Sequence, residues 1–174
     1  STLFLMDKAQ RKLKKYFGYS DFYPFQKNVI NEILKNKDIF VLAKTSGGKS
    51  ICYQIPALIY KGLTIIISPL RSLIDDQITN LEKRNIKCLS FYGDLDKNQK
   101  DDVINKLEIK DVLDYHILYT TPETLEKNID LYQLLLRLYE RNKLSRFVID
   151  EAHTISTWGH NFRNSYLKLK NLKE

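Results

Sequence analysis

Cysteine is scarce: Cys52 and Cys88 are the two thiols in 174 residues. That number cannot supply a disulfide framework or a four-thiolate zinc site, and it suits a reducing compartment. Long hydrophobic runs are missing as well. Stretches such as Leu63 to Ile67 and Leu134 to Leu136 fall far short of the roughly 20 apolar residues of a membrane-spanning helix, so no membrane partner is expected. Six glycines and four prolines are too few for a long flexible linker, and no repeat or low-complexity tract is visible. Acidic residues are in the minority, 21 against 28 Lys and Arg, which leaves a formal charge of +7 and favours acidic partners such as nucleic acid. What is present is enough for one packed core. With 43% hydrophobic residues, a chain of this length buries about 70% of its unfolded surface, which excludes disorder as the main state. The first residue is Ser1 rather than methionine, so a segment of something longer is expected.

The organisation comes from alternation. Short apolar runs rich in β-branched residues, at Ile39 to Ala43, Thr64 to Ser68, Cys88 to Tyr92, His116 to Thr120 and Phe147 to Asp150, read as buried strands. Between them, residues 49–60, 71–84, 97–108 and 124–142 carry apolar positions at three- and four-residue spacing and read as helices. One helix between successive strands predicts βαβ units: an α/β fold whose parallel sheet is flanked by helices. Residues 1–38 precede the first strand as a helical cap, with helices at Leu13 to Phe17 and Gln26 to Leu34, and residues 39–174 form the sheet domain. Ligands of such sheets bind beyond the carboxyl ends of the strands, and that is where the unusual residues fall.

The segment Ala43-Lys44-Thr45-Ser46-Gly47-Gly48-Lys49-Ser50 follows a buried strand and opens a helix, the context of a nucleotide-binding P-loop. Glycines let the backbone curl so that successive N–H groups from Thr45 to Gly48 and the helix N-terminus point at phosphates. Lys49 adds a point charge and Ser50 a hydroxyl for Mg²⁺. A non-glycine Ser46 costs on the order of 1 kcal/mol if its backbone is left-handed.

The run Arg146-Phe147-Val148-Ile149-Asp150-Glu151-Ala152-His153 ends a buried strand in two carboxylates, whose burial is costly without a partner. Mg²⁺ held by Ser50 and, directly or through water, by Asp150 would neutralise one of them, and Glu151 would orient and deprotonate the water that attacks the γ-phosphate. Lys49, Asp150 and Glu151 are therefore the candidate catalytic residues, with Ser50 and Asp150 as metal ligands. His153 either couples this site to other elements or caps a turn.

At this point the chain resembles the superfamily 2 helicases, and among them the RecQ family, closest to its Bloom-type members. Asp150-Glu151-Ala152-His153 is the DEAH box, and Ala43 matches the helicase form of the P-loop. Trp158-Gly159-His160-Asn161-Phe162-Arg163 is similar to the RecQ aromatic-rich loop. Tyr16-Phe17-Gly18-Tyr19 with Phe22 and Gln26 looks like its adenine-recognition motif. Ser68-Pro69-Leu70-Arg71-Ser72-Leu73 with Gln77, and Tyr119-Thr120-Thr121-Pro122-Glu123, agree as well.

The resemblance implies an N-terminal RecA-like domain that uses ATP and Mg²⁺ and couples hydrolysis to 3′-to-5′ unwinding of DNA in nuclear repair, recombination and replication. Gln26 would read the adenine edge and Tyr19 would stack on the base. Tyr23 stands where the family usually has arginine and either completes the stack or packs a helix. Ser68, Arg71 and Thr121 would contact DNA phosphates. Trp158, His160, Phe162 and Arg163 would bind the single strand next to the hydrolytic site, a stacked base being worth about 1 to 3 kcal/mol. Thr157 and Asn161 replace the family's usual glutamine and aspartate. A second RecA-like domain of the same parent protein would supply an arginine finger. In related folds a strand carrying a Ser/Thr-Ala-Thr motif lies between the P-loop strand and the acidic strand, so a gap is expected there. The rival readings are a superfamily 2 RNA helicase or translocase, and a nucleotide- or DNA-binding module that no longer hydrolyses anything.

Overall fold

The computed structural model of the chain describes residues 2–35, 40–42, 48–108 and 114–151, together with 167, 168 and 171; over 40–42 it describes the backbone. Helix α1 (Thr2–Lys12) runs into a π-helical turn (Leu13–Phe17), which ends at Gly18 in a left-handed conformation, φ 75°. Helix α2 (Pro24–Lys35) leads to strand β1 (Phe40–Leu42). The remaining order is α3 (Ser50–Ile59), β2 (Leu63–Ile67), α4 (Arg71–Lys83), β3 (Cys88–Phe91), α5 (Lys97–Glu108), β4 (Ile117–Thr120), α6 (Pro122–Lys127), α7 (Ile129–Glu140) and β5 (Leu144–Ile149). All strand pairs are parallel and the order across the sheet is β1-β5-β2-β4-β3. The α/β architecture read from the alternation is the one observed.

Two hydrophobic layers cover the sheet, because successive side chains of a strand point to opposite faces. Ile66, Ile117, Tyr119 and Val148 face α1, α2, α3 and α4, where they meet Ile30, Tyr53, Ile55 and Ile74. Leu63, Ile65, Ile67, Leu118, Phe147 and Ile149 face α5, α6 and α7, where Leu131, Leu134, Leu135 and Leu138 present one stripe at three- and four-residue spacing. Each such side chain, fully withdrawn from water, contributes roughly 1.5 to 3 kcal/mol. Gly62 turns the chain into β2 with φ 107°, and a Cβ there would stand 3.0 Å from the carbonyl oxygen of Lys143.

Two expectations are corrected. The helix expected over 124–142 is two helices: Asn128 adopts an extended backbone that stops α6, and its side-chain oxygen accepts from the Leu131 N–H to cap α7. Asn competes well for such caps, whereas apolar spacing carries no mark of the break. The gap expected between the P-loop strand and the acidic strand is absent. Phe40, Val41 and Leu42 pair directly with Phe147, Val148 and Ile149, since an open strand edge leaves backbone groups unpaired and closes on whichever edge it meets.

Candidate functional site

The parallel sheet brings its strand ends together at one rim. Leu42 lies opposite Ile149, so the chain entering the P-loop and the chain entering the acidic turn leave adjacent strands about 4.8 Å apart. Next along the rim, the Asp150 N–H donates to Ile67 O at 2.8 Å and the Ser68 N–H to Thr120 O at 2.9 Å. Asp150, Ser68 and Thr121 thus follow three neighbouring strands, in that order.

Of the P-loop, Gly48, Lys49 and Ser50 are described; Thr45, Ser46 and Gly47 lie outside the described residues. Gly48 has φ 79°, in the left-handed region that favours glycine. A Cβ built on it would come 3.3 Å from Nε2 of Gln26 and 3.6 Å from Cζ of Phe25. Lys49 is the N-cap of α3, half-buried, and Ser50 is the first residue of that helix. The N-terminal N–H groups of a helix have no intrahelical acceptor and carry partial positive charge, which is what an anionic phosphate meets.

Gln26 is buried, 4% exposed, and joins the N-terminal motif to the loop. Its Oε1 accepts from the Tyr23 N–H at 2.9 Å, and its Nε2 donates to Gly48 O at 2.9 Å. These partners fix the orientation of the amide. A primary amide has two lone pairs and two N–H groups, so one of each is left for a further partner. Beside it, Tyr19, Tyr23 and Phe25 are exposed, and the rings of Tyr23 and Phe25 lie nearly parallel, 6° apart in plane with centroids 6.3 Å apart. Phe25 was not singled out from the sequence; its signal there was only an aromatic next to Gln26. Phe22 is a core residue.

Asp150 is almost fully buried, and its carboxyl is pushed up to about 6, first by burial and then by the neighbouring Glu151 charge. The Glu151 N–H, 3.1 Å from Oδ1, and the Tyr53 phenol act in the opposite direction. Tyr53 stands one helical turn inside α3 from Ser50 and faces both acids, which raise its own pKa after the larger effect of burial. Tyr53 also shares a hydrophobic cluster with Val148, so the helix that opens with Lys49 and Ser50 packs beside the strand that ends in the two acids. Glu151 has φ 56°, a conformation costing a non-glycine residue about 1 to 3 kcal/mol and found where function demands it.

Ser68 is buried, with no hydrogen-bond partner for its hydroxyl among the described residues. Arg71 is half-exposed, pairs with Asp94 and lies over the Tyr92 ring with its guanidinium carbon 5.4 Å from the centroid. Thr121 is buried and caps α6, accepting from the Thr124 N–H at 3.2 Å. His153, Thr157, Trp158, His160, Asn161, Phe162 and Arg163 lie outside the described residues. A buried polar cluster escaped the sequence reading: Gln54 Nε2 donates to Gln77 Oε1 at 2.7 Å and to the Tyr119 hydroxyl at 3.1 Å, tying α3 to α4 and β4.

A helix that opens at a glycine-rich loop beside a strand ending in two acids is the arrangement expected of a P-loop motor domain. Residues 23–174 match the DEAD/DEAH box helicase family, and the chain belongs to it. Within that class its curated relatives bear out the RecQ resemblance. It is 45% identical over 166 residues to the ATP-dependent DNA helicase hus2/rqh1 of Schizosaccharomyces pombe, covering 93% of this chain and 12% of that protein. It is 43% identical to the RecQ-like DNA helicase BLM of Xenopus laevis, covering 92% of this chain and 12% of the relative. With the ATP-dependent helicase SGS1 of Saccharomyces cerevisiae it shares 40%, over 96% of this chain and 12% of the relative. The chain thus spans about an eighth of the length of these relatives. Among solved structures, the DUF1998 helicase MrfA bound to DNA and AMPPNP matches the fold with a TM-score of 0.63 at 24% identity, over 86% of this chain and 21% of that one. No helix among the described residues is long and apolar enough to cross a membrane.

Proposed function

We propose that this chain is the ATP-binding motor of a RecQ-type DNA helicase, coupling ATP hydrolysis to 3′-to-5′ movement on DNA in the nucleus, in repair, recombination and replication. The observation that carries the reading is the pairing of β1 with β5, Leu42 opposite Ile149, which sets the chain entering the P-loop beside the chain entering the acidic turn. The residues fit ATP and Mg²⁺: the left-handed Gly48 leads into the N-terminus of α3, whose N–H groups suit an anion, and the buried Asp150 carboxyl is pushed up to about 6 by burial and the Glu151 charge, a setting in which a nearby cation favours the charged form. A bound Mg²⁺ supplies Lewis-acid charge for phosphoryl transfer. Lys49 and the α3 N-terminus bind the phosphates, Ser50 and Asp150 hold the metal, and Glu151 receives the proton of the attacking water. Gln26 completes the loop from behind while Tyr19, Tyr23 and Phe25 offer ring faces to the base. Ser68, Arg71 and Thr121 continue the rim toward DNA, and Trp158, His160, Phe162 and Arg163 contact the strand as well. A second RecA-like domain would close over the nucleotide and add an arginine finger.

The test uses the whole protein that carries this chain. Lys49→Ala should abolish ATP turnover, and Glu151→Gln should keep ATP binding while hydrolysis falls at least a hundredfold. Full turnover in either variant would refute the assigned roles. Stimulation by RNA over DNA would favour the RNA-helicase reading, and no turnover in the unaltered protein would favour the non-hydrolysing module.

A further inference from the structure

Lys49, Ser50, Ser68, Thr121, Asp150 and Glu151 follow the carboxyl ends of the strands. At the opposite rim a second feature stands out. Lys8, Arg11, Lys12 and Lys15 recur at the i, i+3, i+4, i+7 spacing that gathers side chains on one helix face. They line a groove of about 340 Å³ whose floor is Leu58 and Ile59, at the end of α3 just before the turn into β2. The sheet separates this groove from Ser68 by the five residues of β2, roughly 16 Å of strand.

Among the described residues, the groove is lined by cations without a carboxylate. Asp7, the one acidic residue of α1, is not part of it. Among the described residues, none of the four cations takes part in an ion pair. The three lysine ammonium groups are nonetheless held in place. Lys12 and Lys15 lie over the Tyr16 ring, 5.7 and 5.0 Å from its centroid, and Lys8 lies 5.0 Å from that of Phe4. Repelling charges held side by side, already ordered by aromatic faces, suit a polyanion: little side-chain freedom is left to lose on binding. Seven residues of helix cover about 10 Å, the axial span of about three phosphates of one DNA strand. The basic track also continues. The charge of Lys12 reaches His116, which burial and this lysine hold below the usual imidazole range. His116, Lys61 and Lys143 line the adjoining groove, which shares Leu58 and Ile59.

We propose that the groove of Lys8, Arg11, Lys12 and Lys15 over Leu58 and Ile59 is a second nucleic-acid surface, which holds the phosphate backbone of a DNA strand at the rim opposite the nucleotide site. Choosing DNA among polyanions rests on the helicase reading above. The apolar pair lies beneath the cations rather than beyond them, which fits a phosphate track; Leu3 and Phe4, exposed at the start of α1, make an anionic bilayer the alternative to be separated.

The experiment measures anisotropy of a labelled oligothymidine strand, and of a labelled duplex, against the full chain between about 50 and 200 mM salt. The variant Lys8→Gln/Arg11→Gln/Lys12→Gln/Lys15→Gln should bind at least tenfold more weakly at low salt. Its slope of log affinity against log salt should be shallower by about 2 to 3, the share of about three phosphates. The charge-keeping variant Lys8→Arg/Lys12→Arg/Lys15→Arg should match the unaltered chain, and both should bind a fluorescent ATP analogue normally. An unchanged slope in the glutamine variant, or equal loss in the arginine variant, would overturn the proposal. So would tighter binding of phosphatidylserine vesicles or polyglutamate than of DNA. Failure of the motor reading registers separately, in the ATP turnover of Lys49→Ala.

Discussion

The side-chain amide of Gln26 donates to the carbonyl oxygen of Gly48 at 2.9 Å, joining the aromatic segment before α2 to the end of the P-loop. Because the same amide also receives the Tyr23 N–H, the segment proposed to hold the base and the loop proposed to hold the phosphates are positioned by one side chain. A buried polar group that loses its partner costs about 1 to 3 kcal/mol. Gln26→Leu strands two such groups, the Gly48 carbonyl and the Tyr23 N–H. Titration with a fluorescent ATP analogue should show affinity falling about tenfold or more, corresponding to about 1.4 kcal/mol per decade. Gly48→Ala should do the same by another route, since its φ of 79° and the 3.3 Å approach to Gln26 Nε2 leave no comfortable place for a methyl group. Normal affinity in both variants would dissociate the two segments.

Asp150 makes the stability of the nucleotide-free chain depend on pH. Its folded pKa, about 6, stands above the ordinary 3.8, so the folded state holds this proton more tightly than the unfolded one. The Asp150 contribution is therefore fully present below about pH 3.8, falls as pH rises through about 6, and leaves the charged form at a disadvantage above that. The shift corresponds to at most about 3 kcal/mol. Asp150→Asn removes the charge while keeping the shape. Urea denaturation at pH 8 should find the variant more stable than the unaltered chain, with the difference shrinking toward pH 4. A variant less stable at pH 8 would show that the carboxylate is favourably paired.

Legibility from sequence followed physical range. β2, with five fully buried residues, and α5, with bounds at Lys97 and Glu108, were readable because buried runs and helical spacing are local signals. The break at Asn128 was not, because a cap competes with apolar periodicity inside a segment that satisfies both. Lys49, Ser50, Asp150 and Glu151 were named from the Gly-Gly-Lys-Ser loop and the paired acids at strand ends, and the sheet brings those two strand ends side by side. The hydrogen bonds of Gln26 to Gly48 and of Gln54 to Tyr119 span chain separations that no local pattern encodes. The left-handed backbone at Glu151 is likewise a product of tertiary packing, invisible in the letters.

Gln54 carries the last expectation. It sits in the interior of α3 at 3% exposure, where an unsatisfied amide would be costly, and one nitrogen serves both Gln77 Oε1 and the Tyr119 hydroxyl. Tyr119 is also buried, and its phenol is pushed up by that burial, so it stays neutral and keeps its proton. Gln54→Leu removes the shared donor and should destabilise the chain by about 1 to 3 kcal/mol in urea denaturation. Tyr119→Phe alone removes one acceptor and should cost less. If the three side chains form one unit, the double variant should lose less than the two single losses added together, with a coupling of about 0.5 to 3 kcal/mol. Strict additivity would mean that α4 and β4 are each tied to α3 independently, and that the cluster does not transmit displacement from α3 to the strand ends carrying Arg71 and Thr121.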